Sequence, residues 1–222
     1  SGVAHPSDAQ GPLAAGLYSF QAHYNGDANY NESTSACEPL TINKVNPTIA
    51  TTPNPTSGPI GTVLNDTATL SGGSSPTGNV TFNLYPPADT TCVGTPVYTE
   101  VDPSSPYGTS PGYTSLVAGT YRWTADYAGD ANNNPASSGC QAEQVVIDKL
   151  NSTTVTAIHD ANHGVITSAD AGATVHDSAT VTGSGPAPTG NVTFTFYTAS
   201  DQCTGANVGA GTVALVSGVA HP

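Results

Sequence analysis

The chain has 222 residues, of which only 9% are charged, and it contains 24 Gly, 18 Pro and no Met. Its formal net charge of −13, with only three Lys and Arg residues, excludes the basic surface that nucleic-acid binding requires and disfavours contact with an anionic membrane. No apolar stretch approaches the ~20 residues of a membrane-spanning helix, so membrane insertion is not expected. Runs of Thr, Val and Tyr between Gly, Pro and Asn favour short strands and turns over helices.

The same hexapeptide, Ser-Gly-Val-Ala-His-Pro, occupies residues 1–6 and residues 217–222. Its recurrence predicts a longer repetitive sequence that is cut within a repeat, with a period of 216 residues. Two possibilities remain open: one continuous polypeptide, or separate chains whose ends meet. In both, the expected partners are identical units arranged head to tail.

In chain order, the first recurring segment is Gly16–Asn31, which has a close counterpart at Gly119–Asn134. The two lie 103 residues apart, and Cys37 and Cys140 follow them at the same offset. The heptapeptide Pro-Thr-Gly-Asn-Val-Thr-Phe begins at residue 76 and again at residue 188, an offset of 112. Because these motifs occur in opposite order in the two copies, one copy is continuous and the other is split.

Residues 44–148, the central repeat, contain each motif once and are predicted to form one complete domain. The other repeat is divided between a C-terminal segment, residues 149–222, and an N-terminal segment, residues 1–43. The C-terminal segment carries the first half of a domain and the N-terminal segment carries the second half. We therefore expect residues 149–222 of one unit to be completed by residues 1–43 of the next.

Alternating apolar residues predict about seven short strands in the central repeat, separated by turns every ~8–12 residues. The faces predicted to be buried are Val80, Phe82 and Leu84 in one strand and Tyr121, Trp123, Ala125 and Tyr127 in another. Trp123 and its counterpart Phe20 are the expected core anchors. The pattern is typical of an all-β fold built of immunoglobulin-like antiparallel sandwiches.

Three stretches of the central repeat carry a family resemblance, and they span residues 76–82, 91–98 and 119–140. They resemble the tandem bacterial immunoglobulin-like repeats of large cell-surface and extracellular proteins. The split copy carries the same motifs, although it has Ser19 and Phe20 where the central repeat has Arg122 and Trp123, so its core differs somewhat. The resemblance implies tandem extracellular sandwiches used as a stalk, spacer or adhesive module, and it implies no enzymatic activity.

Each repeat contains two cysteines at matching positions, which suits an oxidising environment. We expect Cys92 and Cys140 to form a disulfide, with free buried thiols as the alternative. Metal binding by these residues is not expected because there is no Cys-x-x-Cys pair. By the same pattern Cys203 pairs with Cys37. Since the two segments are expected to leave the complete domain at opposite ends, this second bond is predicted to form with the next unit.

Lys44 and Lys149 are the only lysines and occupy equivalent repeat boundaries. They are either solvated linker residues, which we favour, or partners in Lys–Asn isopeptide bonds. The loops at 24–31 and 127–134 carry Asp and Asn at alternate positions and either bind Ca²⁺, with help from Asp126 and Glu143, or are ordinary turns. One carboxylate in each loop favours turns.

The six histidines predict neither a metal site nor a catalytic triad. His159 and His163 are spaced as neighbours on a helix, but the sequence between them indicates a turn. No catalytic residue, metal site or cofactor is therefore predicted.

Taken together, the sequence predicts a non-enzymatic structural unit of an extracellular filament or stalk that assembles head to tail. The alternative is an adhesin module that binds a carbohydrate or a protein. Its candidate contact residues are Tyr30, Tyr107 and Tyr113, which are expected to be exposed.

Overall fold

The computed structural model describes residues 2–199 and 202–221, and these residues form strands, turns and no helix. They divide into two compact units. The first extends to Ile147 without Pro59–Gly61, and the second contains Pro59–Gly61 and everything from Asp148 onwards. The sheets consist mainly of antiparallel pairs, and the described residues are all-β as the sequence predicted.

The strands are short and follow one another closely along the chain. In the N-terminal segment they are β1 Gly16–Phe20, β2 His23–Tyr24, β3 Ser33–Thr34 and β4 Glu38–Ile42. In the central repeat they are β5 Thr48–Asn54, β6 Ser57–Pro59, β7 Val63–Ser71, β8 Val80–Tyr85, β9 Tyr98–Asp102, β10 Tyr107–Gly108, β11 Tyr113–Thr114, β12 Gly119–Tyr127, β13 Ala136–Ser137 and β14 Glu143–Asp148. In the C-terminal segment they are β15 Ser152–Asp160, β16 Val175–Gly183, β17 Asn191–Tyr197, β18 Asn207–Ala214 and β19 Val219–Ala220.

The central repeat consists of two sheets. In the smaller one, β7 pairs with β5, β10 and β11; in the larger one the order is β6–β14–β12–β8–β9, with β13 also on β12. Strand β12 is an inner strand of the larger sheet, because Trp123 lies opposite Glu143 of β14 on one side and opposite Leu84 of β8 on the other.

The core of the central repeat is formed by the two faces that the alternation predicted. Val80, Phe82 and Leu84 of β8 and Tyr121, Trp123, Ala125 and Tyr127 of β12 are each at most 1% exposed. Leu64 and Ala68 of the smaller sheet are buried as well. Each large apolar side chain contributes ~1.5–3 kcal/mol on burial, so this core is the main stabilising contribution to the repeat.

The N-terminal segment forms two small hairpins, β1 with β4 and β2 with β3. It belongs to the same unit as the central repeat and is hydrogen-bonded to one of that repeat's loops. The amide of Ala15 donates to Oδ1 of Asn132 over 2.9 Å.

The C-terminal segment forms a sheet of order β15–β16–β19 and a separate hairpin of β17 with β18. Its core is small: Ala179, Phe194 and Ala220 are buried, and Val192, Val213 and Leu215 pack against them partly buried. Phe194 is the one large aromatic side chain among these buried residues. Its side chain is only 8% exposed because it belongs to this core.

The two copies of the hexapeptide differ in structure. In the C-terminal copy, Val219 and Ala220 form β19, and Ala220 pairs with Ala179 and is completely buried. Residues 2–6 of the N-terminal copy are exposed and form no strand. The same short sequence therefore forms a strand only where β16 offers it a partner.

Two carboxyl groups lie buried in the central repeat. Asp66 on β7 is 0% exposed and Glu143 on β14 is 7% exposed. Burial, followed by the negative charge of Glu143, raises the pKa of the Asp66 carboxyl to about 8. Asp66 is therefore protonated in the folded protein at neutral pH, whereas it is ionised in the unfolded chain, where its pKa is the ordinary 3.8.

The raised pKa of Asp66 predicts that stability decreases as pH rises. Between pH ~4 and pH ~8 the folded state binds the extra proton, so the free energy of unfolding falls by up to ~1.4 kcal/mol per pH unit and levels off above pH 8. The substitution Asp66→Asn, which mimics the protonated acid, should remove most of this slope. The measurement is denaturant unfolding across this pH range, followed by the fluorescence of Trp123, the only tryptophan. The exposed Asp126→Asn is the control, and equal slopes in wild type and Asp66→Asn would contradict the prediction.

Candidate functional site

Among the residues that the structure describes, strands β1 and β17 each have one unpaired edge in their own unit, although their counterparts in the central repeat do not. The counterpart of β1 is β12, which pairs with both β14 and β8. Within the described part of the chain, β1 pairs with β4 alone. The counterpart of β17 is β8, which pairs with both β12 and β9, whereas β17 pairs only with β18 in residues 2–199 and 202–221. The pairing that the described residues of both segments lack is the one that joins β12 to β8.

Aromatic side chains of β1 and β2 are exposed where their counterparts on β12 are buried. Phe20 is 45% exposed, whereas its counterpart Trp123 is completely buried. Tyr24 is 46% exposed, whereas its counterpart Tyr127 is 1% exposed. The core role predicted for Trp123 is thus confirmed, while Phe20 lies on an uncovered surface.

The face of β17 is partly covered. Phe194 is buried against its own segment, but Phe196 is 52% exposed, and Val208 on the neighbouring β18 is 55% exposed. Leu84, the counterpart of Phe196, is completely buried in the central repeat. Each segment therefore exposes side chains whose counterparts are buried in the central repeat, where β12 pairs with β8.

The disulfide predicted in the central repeat is present. Cys92 and Cys140 are joined, with their Cα atoms 5.6 Å apart. The loop before Cys92 is organised by Asp89, which accepts amide hydrogen bonds from Cys92 at Oδ1 and from Gly94 at Oδ2, each over 2.8 Å. The hydrogen bond from Gly94 is the largest of the contributions that lower the pKa of Asp89.

Cys203 and Cys37 are free and exposed. Cys203 has a φ of 53°, almost the same as the 55° of its counterpart Cys92, and both values lie in the left-handed region that non-glycine residues rarely adopt. The C-terminal segment thus holds one cysteine in the backbone conformation that the disulfide of the central repeat uses.

The loop that follows β12 is organised by Asp130. Its Oδ1 accepts the amides of Asn132 and Asn133, each over 2.8 Å, and its Oδ2 accepts the amide of Thr77 over 2.7 Å and the hydroxyl of Tyr127 over 2.9 Å. These bonds, that of Thr77 first, hold the pKa of Asp130 well below its ordinary value. Since both oxygens already accept hydrogen bonds, the geometry is that of a turn linked to the strand that begins after Thr77.

The corresponding loop of the N-terminal segment repeats this arrangement in part. Oδ1 of Asp27 accepts the amides of Asn29 and Tyr30 over 2.7 and 2.9 Å, and Oδ2 accepts the hydroxyl of Tyr24 over 2.9 Å. The bond from Asn29 is the main cause of the lowered pKa of Asp27. The residue that corresponds to Thr77 is Thr189, which belongs to the C-terminal segment.

The remaining predicted residues lie in different environments. Nζ of Lys44 donates to the carbonyl of Asp130, so this lysine attaches the repeat boundary to the loop. Lys149 is exposed, and an isopeptide bond at either lysine stays a prediction.

The three tyrosines named as adhesive contacts do not form one exposed surface. Tyr107 is only 4% exposed, and its hydroxyl donates to the carbonyl of Gly78, so the prediction that it is exposed is wrong. Tyr113 is half-buried against the rings of Tyr98 and Tyr121, while Tyr30 is 71% exposed.

A cluster of four histidines in the C-terminal segment was not anticipated from the sequence. His159 on β15 lies opposite His176 on β16 in the strand register. His163 is in the turn that follows β15, and His221 follows β19. The rings of His159, His163 and His176 all lie within 5.5 Å of the ring of His221, centre to centre. Only the register between β15, β16 and β19 brings these residues together.

Burial of the His176 ring lowers its pKa, and the neighbouring His163 and His159 lower it further.

No protein-family model and no curated protein matches this chain. Among residues 2–199 and 202–221 there is no helix of the length and hydropathy needed to cross a membrane.

The loops organised by Asp130 and Asp27 are expected to differ in how much each aspartate stabilises the central repeat. Asp130→Asn removes a carboxylate oxygen that accepts hydrogen bonds from Thr77 and Tyr127, so it should lower the melting temperature of the central repeat by several degrees. The matched change Asp27→Asn affects a loop without the threonine bond and should leave the unfolding transition reported by Trp123 unchanged. Thermal unfolding followed by Trp123 fluorescence distinguishes the two, and equal shifts in both variants would refute the interpretation.

Proposed function

We propose that this chain is a non-enzymatic structural unit of an extracellular filament or stalk, in which split immunoglobulin-like domains are completed head to tail by neighbouring units. The observation that carries the proposal is the exposure of Phe20 and Phe196 on the two segments, at the positions where Trp123 and Leu84 pack in the core of the central repeat. Exposed apolar faces of this kind mark interaction surfaces.

The central repeat supplies a template for the contact between units. There, β12 and β8 pair with Trp123 opposite Leu84. Phe20 corresponds to Trp123 at the sequence offset of 103, and Phe196 corresponds to Leu84 at the offset of 112. If the two segments pair in the same register, Phe20 of one unit lies opposite Phe196 of its neighbour. The remaining pairs expected between the two chains are Ser19 with Tyr197, Gln21 with Thr195, Ala22 with Phe194, His23 with Thr193 and Tyr24 with Val192.

Pairing with a neighbouring unit also supplies hydrogen-bond partners for main-chain polar groups. The open edges of β1 and β17 expose main-chain amides and carbonyls, and addition of a strand supplies their hydrogen-bond partners. In the central repeat the amide of Thr77 donates to Oδ2 of Asp130 over 2.7 Å. The same docking places the corresponding residues, Thr189 of one unit and Asp27 of the next, in position for an equivalent bond. The contact therefore adds directional bonds to the burial of apolar surface.

The arrangement favours a filament over a closed pair. The two complementary surfaces lie on different segments, so the contact is heterologous and each added unit presents a new free surface. The disulfide Cys92–Cys140 is suited to an oxidising exterior. The net charge of −13 keeps the sides of such assemblies soluble and mutually repulsive.

The proposed contact predicts a specific disulfide between separate chains. A Cys37→Ser variant retains Cys203, and a Cys203→Ser variant retains Cys37, so neither can form a Cys37–Cys203 bond alone. Mixed under mild oxidation, they should yield one covalent dimer of ~44 kDa that contains this bond. Wild-type chains should give a ladder that collapses to 22.2 kDa on reduction.

Non-reducing electrophoresis and peptide mass spectrometry measure this outcome. A mixture that gives only Cys37–Cys37 or Cys203–Cys203 dimers, or no dimer, contradicts head-to-tail completion. Electron microscopy of the wild-type ladder provides the second measurement. Filaments support the proposal, and discrete globular particles count against it.

The apolar face of β1 predicts which substitutions block assembly. Phe20→Ser removes the side chain that faces Phe196 in the proposed contact and should weaken association at least 10-fold. Leu17, on the opposite face of the same strand, is 83% exposed. Leu17→Thr introduces the residue that the central repeat has at this position, Thr120, and should leave association unchanged.

Sedimentation velocity over a range of concentrations under reducing conditions compares these variants. The fluorescence transition of Trp123 should stay the same in both, because neither change touches the core of the central repeat. Association that is equally weakened by both changes, or by neither, would place the contact elsewhere.

A further inference from the structure

The histidine cluster has the geometry of a transition-metal site. The ligand nitrogens of His159, His176 and His221 all lie within 4.8 Å of one another. A metal bound ~2.0–2.1 Å from each nitrogen in tetrahedral geometry needs nitrogens ~3.3 Å apart, so side-chain rotations that bring them ~1.5 Å closer suffice. Nδ1 of His163 lies 3.1 Å from Nε2 of His176, close to that separation.

The protonation state of His159 is set by its neighbours. Its Nδ1 lies 3.0 Å from the carbonyl of His163, and because a carbonyl can only accept, Nδ1 carries the proton. Nε2 therefore has the lone pair, which accepts the hydroxyl of Ser178 over 2.9 Å. A ring that donates one N–H to a main-chain carbonyl and keeps the other nitrogen for a ligand is the usual arrangement of a metal-binding histidine.

Ser178 can release this nitrogen. Its Oγ also lies 3.3 Å from the carbonyl of Ala157, so the hydroxyl has another acceptor when Nε2 of His159 binds a ligand. The turn that carries His163 is held separately, because Oδ1 of Asp160 accepts the amides of Asn162 and Gly164 over 2.8 and 2.9 Å.

We propose that His159, His176 and His221 bind a divalent transition metal such as Zn²⁺, with His163 close enough to be the fourth nitrogen ligand. Imidazole nitrogens suit Zn²⁺, Cu²⁺ and Ni²⁺, whereas Ca²⁺ and Mg²⁺ require oxygen ligands. The metal joins β15, β16 and the residue after β19, so it fixes the second copy of the hexapeptide to the sheet.

The central repeat provides an internal comparison. In the register of β5 with β7, Asn54 lies opposite Asn65, at the position where His159 lies opposite His176 in β15 with β16. The two histidines are thus a feature of the split repeat alone. His5, in the other copy of the hexapeptide, is exposed and belongs to no strand.

The test is Zn²⁺ binding to the full chain by isothermal titration calorimetry, with Cys37→Ser and Cys203→Ser introduced to remove the free thiols. We expect one Zn²⁺ per chain. His159→Asn and His176→Asn, which introduce the residues of the central repeat, and His221→Asn should each weaken binding at least 10-fold. His5→Asn, the same change in the same hexapeptide, should leave binding unchanged.

Two further measurements keep the result interpretable. Far-UV circular dichroism without metal should be the same for all variants, which separates loss of a ligand from loss of the fold. Co²⁺ should give visible absorption bands typical of tetrahedral nitrogen coordination. Absence of Zn²⁺ binding by the parent chain, unchanged affinity in His176→Asn, or an equal loss in His5→Asn would overturn the proposal. None of these measurements requires assembly, so they are independent of the test of head-to-tail completion.

Discussion

The pairing of β12 with β8 is the contact on which the central repeat depends. It places Trp123 opposite Leu84 and Ala125 opposite Phe82, and all four side chains are completely buried. The disulfide Cys92–Cys140 joins the loop after β8 to the turn before β14. The hydrogen bond from Thr77 to Asp130 joins the loop before β8 to the loop after β12.

In the repeat that we propose to be split, the division falls between the counterparts of these two strands. The two segments retain the pairs of β1 with β4 and of β17 with β18. Among the described residues they lack only the pairing that corresponds to β12 with β8, and the core that depends on it. Each segment therefore keeps secondary structure and a definite edge, which are the properties that a surface needs in order to dock another strand.

Alternation in the sequence was enough to predict β8 and β12 and their buried faces, because both strands lie with one face against a core and the side-chain period is two. The matching positions of two cysteines in each repeat predicted the disulfide Cys92–Cys140. The burial of Tyr107 and Phe194, and the approach of His159 to His221, could not be predicted. They depend on which distant strand lies beside which and in what register, and local sequence does not contain that information.

The proposed metal has a structural role that follows from the composition of β19, which has no counterpart of the buried Tyr107. Tyr107 of β10 lies opposite Ala68, and Ala220 of β19 lies opposite Ala179 at the equivalent position. The central repeat thus anchors its strand with a buried aromatic ring, a contribution of ~1.5–3 kcal/mol, and with a hydrogen bond from its hydroxyl to Gly78. Alanine provides neither. The proposed metal, bound by the residue that follows Ala220, supplies a replacement for that anchor within the C-terminal segment itself.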